Sequence, residues 1–266
     1  MARQETGKRY RAVLTGASGG IGAAIAERLA GACTLLVLVG RNRPALEELA
    51  TRLHGCNVQI VCGDLCEAHS LGAIAAAVRA SGGIDLLINN AGVNSFHAFE
   101  SQAPEAIRAQ VETNLLAPML LTRTLLPLLA EAPSAQVVNI GSVFGALGFP
   151  GFAAYGAAKA GLAGFSQALR REYADSTIAV RHFSPRATRT AINSEAVNGM
   201  NRALRTSEDT PQAVAEAFMR FLAGSAASHT LGGKERFFVL VNKLVPGIPE
   251  NAIRKQLGQI RKYLPR

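Results

Sequence analysis

Tyr155 and Lys159 stand four residues apart in a stretch of helical periodicity, so the phenol and the ammonium share one helix face, a turn apart. A phenol with a pKa near 10 exchanges protons poorly at neutral pH unless its anion is stabilised. An ammonium about 4–5 Å away, at an effective dielectric near 20, is worth about 3–4 kcal/mol, enough to lower the phenol pKa by about two or three. Thirteen residues before the tyrosine lies Ser142, just past an apolar run that reads as a strand. A hydroxyl there can orient and polarise a carbonyl. Together the three groups suit the protonation of an alkoxide as a hydride reaches a ketone.

Thr15-Gly16-Ala17-Ser18-Gly19-Gly20-Ile21-Gly22 supplies a place for the hydride donor. Glycines between a strand and a helix permit a tight turn and close approach of backbone to a pyrophosphate, which the free N–H groups of the helix start attract. Gly16, Ser18 and Gly20 also satisfy the Gly-x-Ser-x-Gly nucleophile elbow. We reject that reading because the motif sits on the first strand and no downstream Asp and His are marked by any local motif. At the end of the second apolar run, Arg41 occupies the position where an acid would hold a ribose 2′-hydroxyl. A cation there suits a 2′-phosphate, so NADP(H) is expected over NAD(H). Asp64, after the third run, either accepts from the adenine amino group or caps the next helix.

The elements that must position these groups alternate. Strands are expected near Ala12–Leu14, Leu35–Val39, Val58–Val61, Leu86–Asn89, Gln136–Ile140, Ala179–Phe183 and Phe237–Val241. Helices are expected near Ile21–Gly31, Pro44–Leu53, Ser70–Ala80, Glu105–Leu129, Tyr155–Tyr173 and Pro211–Leu222. The strand runs are continuously apolar, as in strands covered on both faces. The fold class is therefore α/β, a doubly wound parallel sheet in a single domain. Residues 1–241 form that domain and residues 242–266 a basic amphipathic C-terminal extension.

The glycine turn, Asn89-Asn90-Ala91-Gly92, Asn114, Ser142 and Tyr155-x-x-x-Lys159, in that order, resemble the short-chain dehydrogenase/reductase family over roughly residues 10–225. The resemblance implies a Rossmann fold and a catalytic set of Asn114, Ser142, Tyr155 and Lys159. It implies cofactor contacts from Gly16, Ser18, Gly20, Ile21, Gly22, Arg41, Asp64, Leu65, Asn90, Ala91, Gly92, Tyr155, Lys159, Pro185 and Thr190. It also implies that Lys159 hydrogen-bonds the nicotinamide ribose and that Asn114 holds a water linking Lys159 to solvent. The activity expected is NADPH-dependent reduction of a 3-oxoacyl or other lipophilic ketone, with Tyr155 as general acid. The alternatives are an NAD(P)-dependent alcohol or hydroxysteroid-type dehydrogenase working oxidatively, and a non-catalytic NADP(H) sensor. The partners expected are a small carbonyl or alcohol substrate, including an acyl-thioester, and further copies of the chain in a homodimer or homotetramer. The apolar helices at Glu105–Leu129 and Tyr155–Tyr173 match those that make the family's subunit contact.

The chain departs from the family pattern twice. Arg186 stands where a Gly normally follows Pro185; with Ser142 and Tyr155 it is a candidate substrate contact. Either Arg186 or Arg189 meets an anionic substrate group, or Arg186 is a solvated loop residue. Residues 191–208 then read as a mobile substrate lid. The second departure is the tail, where Ile253, Leu257, Ile260 and Leu264 form a stripe beside Arg254, Lys255, Arg261 and Lys262. Such a helix lies peripherally on a membrane, caps the pocket or packs on its own or a partner's fold, the last being favoured. It resembles the tails of short-chain reductases that handle lipophilic substrates.

Composition bounds the remaining classes. With 48% hydrophobic and 18% charged residues the chain can build a large core, which excludes a disordered protein. Four cysteines, at 33, 56, 62 and 66, are too few for a disulfide scaffold, and a reducing cytoplasm is expected. Met1 to Arg11 is basic and lacks an apolar core, which predicts no secretory signal, and no uninterrupted apolar run reaches a membrane span. The formal charge of +9 comes without any nucleic-acid-binding motif, so no nucleic acid is expected. His97, His182 and His229 have no ligand spacing, and no metal is expected.

Overall fold

Short apolar runs flanked by turns become strands wherever the chain can cover both their faces. The computed structural model describes residues 9–265, so the basic N-terminal stretch falls mostly outside the described residues, as does Arg266. Seven strands pair in parallel: β1 (Tyr10–Thr15), β2 (Cys33–Gly40), β3 (Asn57–Cys62), β4 (Leu86–Asn89), β5 (Ala135–Ile140), β6 (Ile178–Ser184) and β7 (Ser228–Thr230). Their order is β3-β2-β1-β4-β5-β6-β7, so the winding reverses between β1 and β4. Open sheets of this kind take ligands at the carboxyl ends of the strands flanking that reversal.

Alternate residues of each strand feed two cores. Leu14, Leu36 and Ile88 pack under α1 (Gly20–Leu29), α2 (Arg43–Arg52) and α8 (Pro211–Ala223). Val13, Val37 and Leu87 pack under α3 (Ala68–Ala80), α5 (Ala117–Ala130) and α6 (Ala153–Glu172). The doubly wound reading thus holds. The helix expected at Glu105–Leu129 is present but interrupted: α4 (Pro104–Val111) passes through a π-turn at Glu112–Leu116 into α5. Its full span, Pro104–Ala130, is long and apolar enough by composition to cross a membrane. Leu121, Leu125 and Leu129 are instead fully buried against the sheet.

The expected strand at Phe237–Val241 is a correction. Those residues are the middle of a helix, α9 (Gly233–Leu244), and the seventh strand is the polar Ser228–Thr230, which pairs His182 with Ser228 through Ser184 with Thr230. A five-residue apolar run carries no period of its own, and here the helical one wins. The boundary drawn at 241/242 accordingly falls inside α9. Beyond it α10 (Gly247–Ile260) turns back, burying Ile260 with Phe96, Phe152 and Met200 in a third cluster above the sheet. That cluster includes α7 (Glu195–Ala203), a helix within the expected lid.

Arg181, almost fully buried on β6, holds this edge. Its guanidinium donates to the carbonyls of Phe221 (2.5 Å), Leu222 (3.1 Å) and Ala226 (2.9 Å) and to Gln136 Oε1 (2.8 Å), and lies 4.1 Å over the Phe221 ring. It thereby satisfies the last carbonyls of α8 with a cation at the negative end of the helix. Arg181→Met keeps the apolar stem but strands those acceptors. Urea unfolding should show a loss of about 2–4 kcal/mol, and a loss within error of zero would refute the capping role.

Candidate active site

The glycine turn forms at the reversal because β1 and β4 are stitched together there. Thr15 Oγ1 donates to the Ile88 carbonyl (3.3 Å) and accepts from the N–H groups of Asn90 and Ala91 (3.0 Å each). Asn90 Nδ2 returns the link, donating to the carbonyls of Thr15 (3.0 Å) and Gly16 (3.1 Å). Gly16 has φ +62°, and a Cβ there would lie 2.7 Å from Ala91 Cα. At Gly22 a Cβ would lie 2.1 Å from the Gly16 carbonyl oxygen, which explains both glycines by contact. Helix α1 starts at Gly20 with no side-chain cap and no acid in its first turn, so its N–H groups remain available to an anion.

Above this turn opens a cleft of about 370 Å³. All fifteen residues expected to contact a dinucleotide line it: Gly16, Ser18, Gly20, Ile21, Gly22, Arg41, Asp64, Leu65, Asn90, Ala91, Gly92, Tyr155, Lys159, Pro185 and Thr190. Arg41 is 69% exposed at its rim and lies 3.7 Å from Asp64 Oδ2. Asp64 Oδ1 accepts from the Cys66 N–H at 2.9 Å, while Glu67 stands at the cap of α3; Asp64 therefore shapes the turn before the helix instead of capping it. The glycine cradle, the free helix start and the rim cation together fit a dinucleotide phosphate chain.

Tyr155 also lines a second cavity, of about 260 Å³, together with Ser142 and Arg186. Its wall includes Phe144, Phe149 and Phe152, stacked or tilted on one another at 4.8–6.3 Å, with Val197 and Met200 from α7. These contributors escaped the sequence reading, although three phenylalanines in nine residues before the tyrosine were a signal. Ser142 Oγ accepts from the Phe144 N–H (3.1 Å) and is hydrogen-bonded with the Tyr155 phenol.

Lys159 is only 4% exposed, donates to the Ile140 carbonyl at 2.9 Å, and sits 5.9 Å from the centre of the Tyr155 ring. Desolvation pushes its pKa down to about 8. Burial pushes the Tyr155 phenol up, against the Ser142 hydrogen bond, which lowers it. The lowered phenol expected from a nearby ammonium is therefore corrected. The same burial that raises the phenol also disfavours the charge on the lysine.

Beneath α6 a buried polar chain fixes the helix. Asn89 Nδ2 donates to Thr122 Oγ1 (3.0 Å) and Asn139 Oδ1 (2.8 Å), Asn139 Nδ2 donates to Ser166 Oγ (2.8 Å), and Ser166 lies 3.3 Å from His182 Nδ1. Burial first, then the Lys159 charge, drives His182 down to about 4, so it is a neutral structural partner at physiological pH. Asn114 sits in the π-turn, where its amide donates to the Val93 carbonyl (2.8 Å) and accepts from the Val93 N–H (3.1 Å). The residue four positions on is Pro118, so the Asn114 carbonyl lacks its normal helical donor.

Arg186 is paired on the protein, its side chain 24% exposed. It makes two bonds to Asp209 (2.7 and 2.9 Å) and lies 3.5 Å from Glu235 on α9, contacts that raise its pKa, the Asp209 hydrogen bonds foremost. Among the described residues no group of three or more His, Cys, Asp or Glu side chains converges as a metal site.

A sequence model described as short chain dehydrogenase matches residues 10–201. Dehydrogenase/reductase SDR family member 7B of Bos taurus is 35% identical over 194 residues, 70% of this chain but only 60% of that protein's length. The chain thus spans about three fifths of that relative. The 3-oxoacyl-(acyl-carrier-protein) reductase FabG of Escherichia coli strain K12 is 33% identical over 175 residues, 65% of this chain and 71% of that protein. A short-chain dehydrogenase from Sphingobium yanoikuyae in complex with NADPH is similar with a TM-score of 0.76 and 31% identity, over 90% of this chain and 94% of that one.

The buried ammonium is testable through stability. The Lys159 pKa falls from 10.5 unfolded to about 8 folded, so between those values the unfolded chain holds the extra proton and stability rises with pH. The unfolding free energy of the wild type, minus that of Lys159→Met, should rise by roughly 2–3 kcal/mol from neutral pH to about pH 10.5. A flat difference across that window would exclude a desolvated ammonium.

Proposed function

The chain belongs to the short-chain dehydrogenase family of NAD(P)-dependent oxidoreductases, and from that premise we propose that it reduces a lipophilic ketone with NADPH, Tyr155 serving as general acid. The observation that carries this reading is that one phenol faces both cavities, the glycine-walled cleft and the aromatic-walled pocket.

NADPH, when bound, supplies the hydride. Every other task falls to the chain. The glycine turn and the start of α1 take the phosphates, and Arg41 takes the 2′-phosphate. Lys159, anchored on Ile140, hydrogen-bonds the cofactor ribose. Ser142 Oγ, oriented by the Phe144 N–H, donates to the substrate carbonyl and holds it against the phenol. As that oxygen gains charge, Tyr155 gives it a proton. A phenol whose pKa is raised by burial is protonated at neutral pH and so is available as the proton donor. Lys159, near 8, is poised to return the proton.

The aromatic wall sets the substrate class. Arg186 is committed to Asp209 and Glu235, and Arg189 is exposed and lines neither cavity, so neither offers an anion site inside the pocket. This favours an uncharged ketone. A 3-oxoacyl thioester is the second reading, favoured by the likeness to the E. coli reductase. Exposed Val111, Leu116 and Leu120 along α4 and α5 support a homodimer or homotetramer built on that face. Four free thiols support a cytoplasmic site of action.

Tyr155→Phe should lower ketone-dependent NADPH oxidation by about 10²–10⁴-fold while NADPH still binds. Unchanged turnover across a panel of bulky ketones and 3-oxoacyl thioesters would remove Tyr155 as the general acid, and no turnover by the wild type would leave only a cofactor-binding protein. Arg41→Asp should shift the NADPH-to-NADH ratio of kcat/KM toward NADH by about tenfold or more. A constant ratio removes Arg41 from cofactor choice.

A further inference from the structure

Helix α9 buries none of its residues, although its centre reads Phe-Phe-Val-Leu-Val. From α9 into the elbow before α10 the exposed apolar side chains are Phe237 (63%), Phe238 (42%), Leu240 (54%), Leu244 (72%), Val245 (51%) and Ile248 (55%). They make up more than half of the large exposed apolar residues in the described chain, gathered in twelve positions. Phe237, Leu240 and Leu244 fall at i, i+3 and i+7 and so form one stripe, while Arg236 and Lys243, seven apart, flank it together on one side. The stripe of α10, in contrast, is used internally through Ile260 and Leu264.

Charge decides what covers the elbow. Residues 233–265 carry seven Lys or Arg against two acids, Glu235 and Glu250, and Glu235 is turned inward to Arg186. A second copy docked on this face through a two-fold contact would set Arg236 and Lys243 against their own like charges. An anionic lipid surface complements them, and acyl chains take the Phe and Leu side chains. The face also lies beside the pocket: Leu147 and Phe149 line both the substrate cavity and the groove that Asn242, Pro246 and Ile253 close beneath the elbow. Asn242 Nδ2 donates to the Ala146 carbonyl at 2.9 Å, fixing α9 to that wall.

We propose that the α9–α10 elbow is an interfacial membrane-docking surface that seats the mouth of the substrate pocket on an anionic bilayer. Docking does not depend on the reaction proposed above. The full chain should co-sediment with vesicles of phosphatidylcholine and phosphatidylglycerol, about tenfold better than with phosphatidylcholine alone, and added salt should release it. Phe237→Glu and Leu244→Glu should each weaken that partition about tenfold or more. Both side chains are solvent-exposed and line no cavity, so folding by circular dichroism and reduction of a water-soluble ketone stay unchanged. Arg236→Glu with Lys243→Glu should weaken binding to the anionic vesicles only. The proposal is overturned if the wild type ignores anionic vesicles, if the apolar substitutions leave the partition unchanged, or if they halve the solution mass of a chain that binds no lipid. That last result would make the elbow a subunit contact.

Discussion

Everything at the centre of this protein is organised around one ammonium held out of water. Lys159 reaches the active site from α6 and finds a single hydrogen bond, to the carbonyl at the end of β5. Burying a charge with so little compensation costs several kcal/mol in general, and the protein answers by lowering the pKa toward neutrality and fixing the helix from beneath. The Asn89–Asn139–Ser166 chain supplies that fixing. It crosses β4, β5 and α6 at the rung that ends in His182, a histidine kept neutral first by burial and then by the Lys159 charge. A second cation there would add repulsion inside the same dry volume. The phenol obeys the same constraint, its pKa being raised by burial.

The site was legible wherever a residue type had no substitute. A turn with φ +62° against the Ala91 backbone admits only glycine, so the glycine spacing announced the cleft, and all fifteen expected contacts line it. The parallel strands were equally plain, because coverage on both faces demands uninterrupted apolar runs. What failed was the inference from identity to energetics. Tyr155 and Lys159 were correctly paired on one helix face, but spacing carries no information about desolvation, which raises the phenol pKa and lowers that of the lysine.

Two other features were illegible for a related reason. Arg186 replaces a glycine, and a lone loop arginine looks available. Its neutralisation depends on Asp209 and Glu235, which lie 23 and 49 positions further along the chain and are brought to it only by the fold. Likewise Phe237–Val241 is apolar enough for a buried strand, and short apolar runs do not declare their period. The π-turn at Glu112–Leu116 was invisible as well, although Pro118 marks the one place where a helical bond to Asn114 cannot form.

Helix α9 joins these loose ends. Its first turn sends Glu235 inward, where the carboxylate helps to hold Arg186 beside the substrate cavity, and its later turns present phenylalanine and leucine outward. One helix therefore carries the charge that closes off an anion site and the apolar surface that remains unspent. These two facts point to the same kind of substrate. A pocket walled by Phe144, Phe149 and Phe152, with its nearest arginine already neutralised, gains nothing from a ligand that arrives charged from water. The exposed apolar side chains of α9 lie next to that pocket, and in the docking proposed above the basic residues around them would orient the contact.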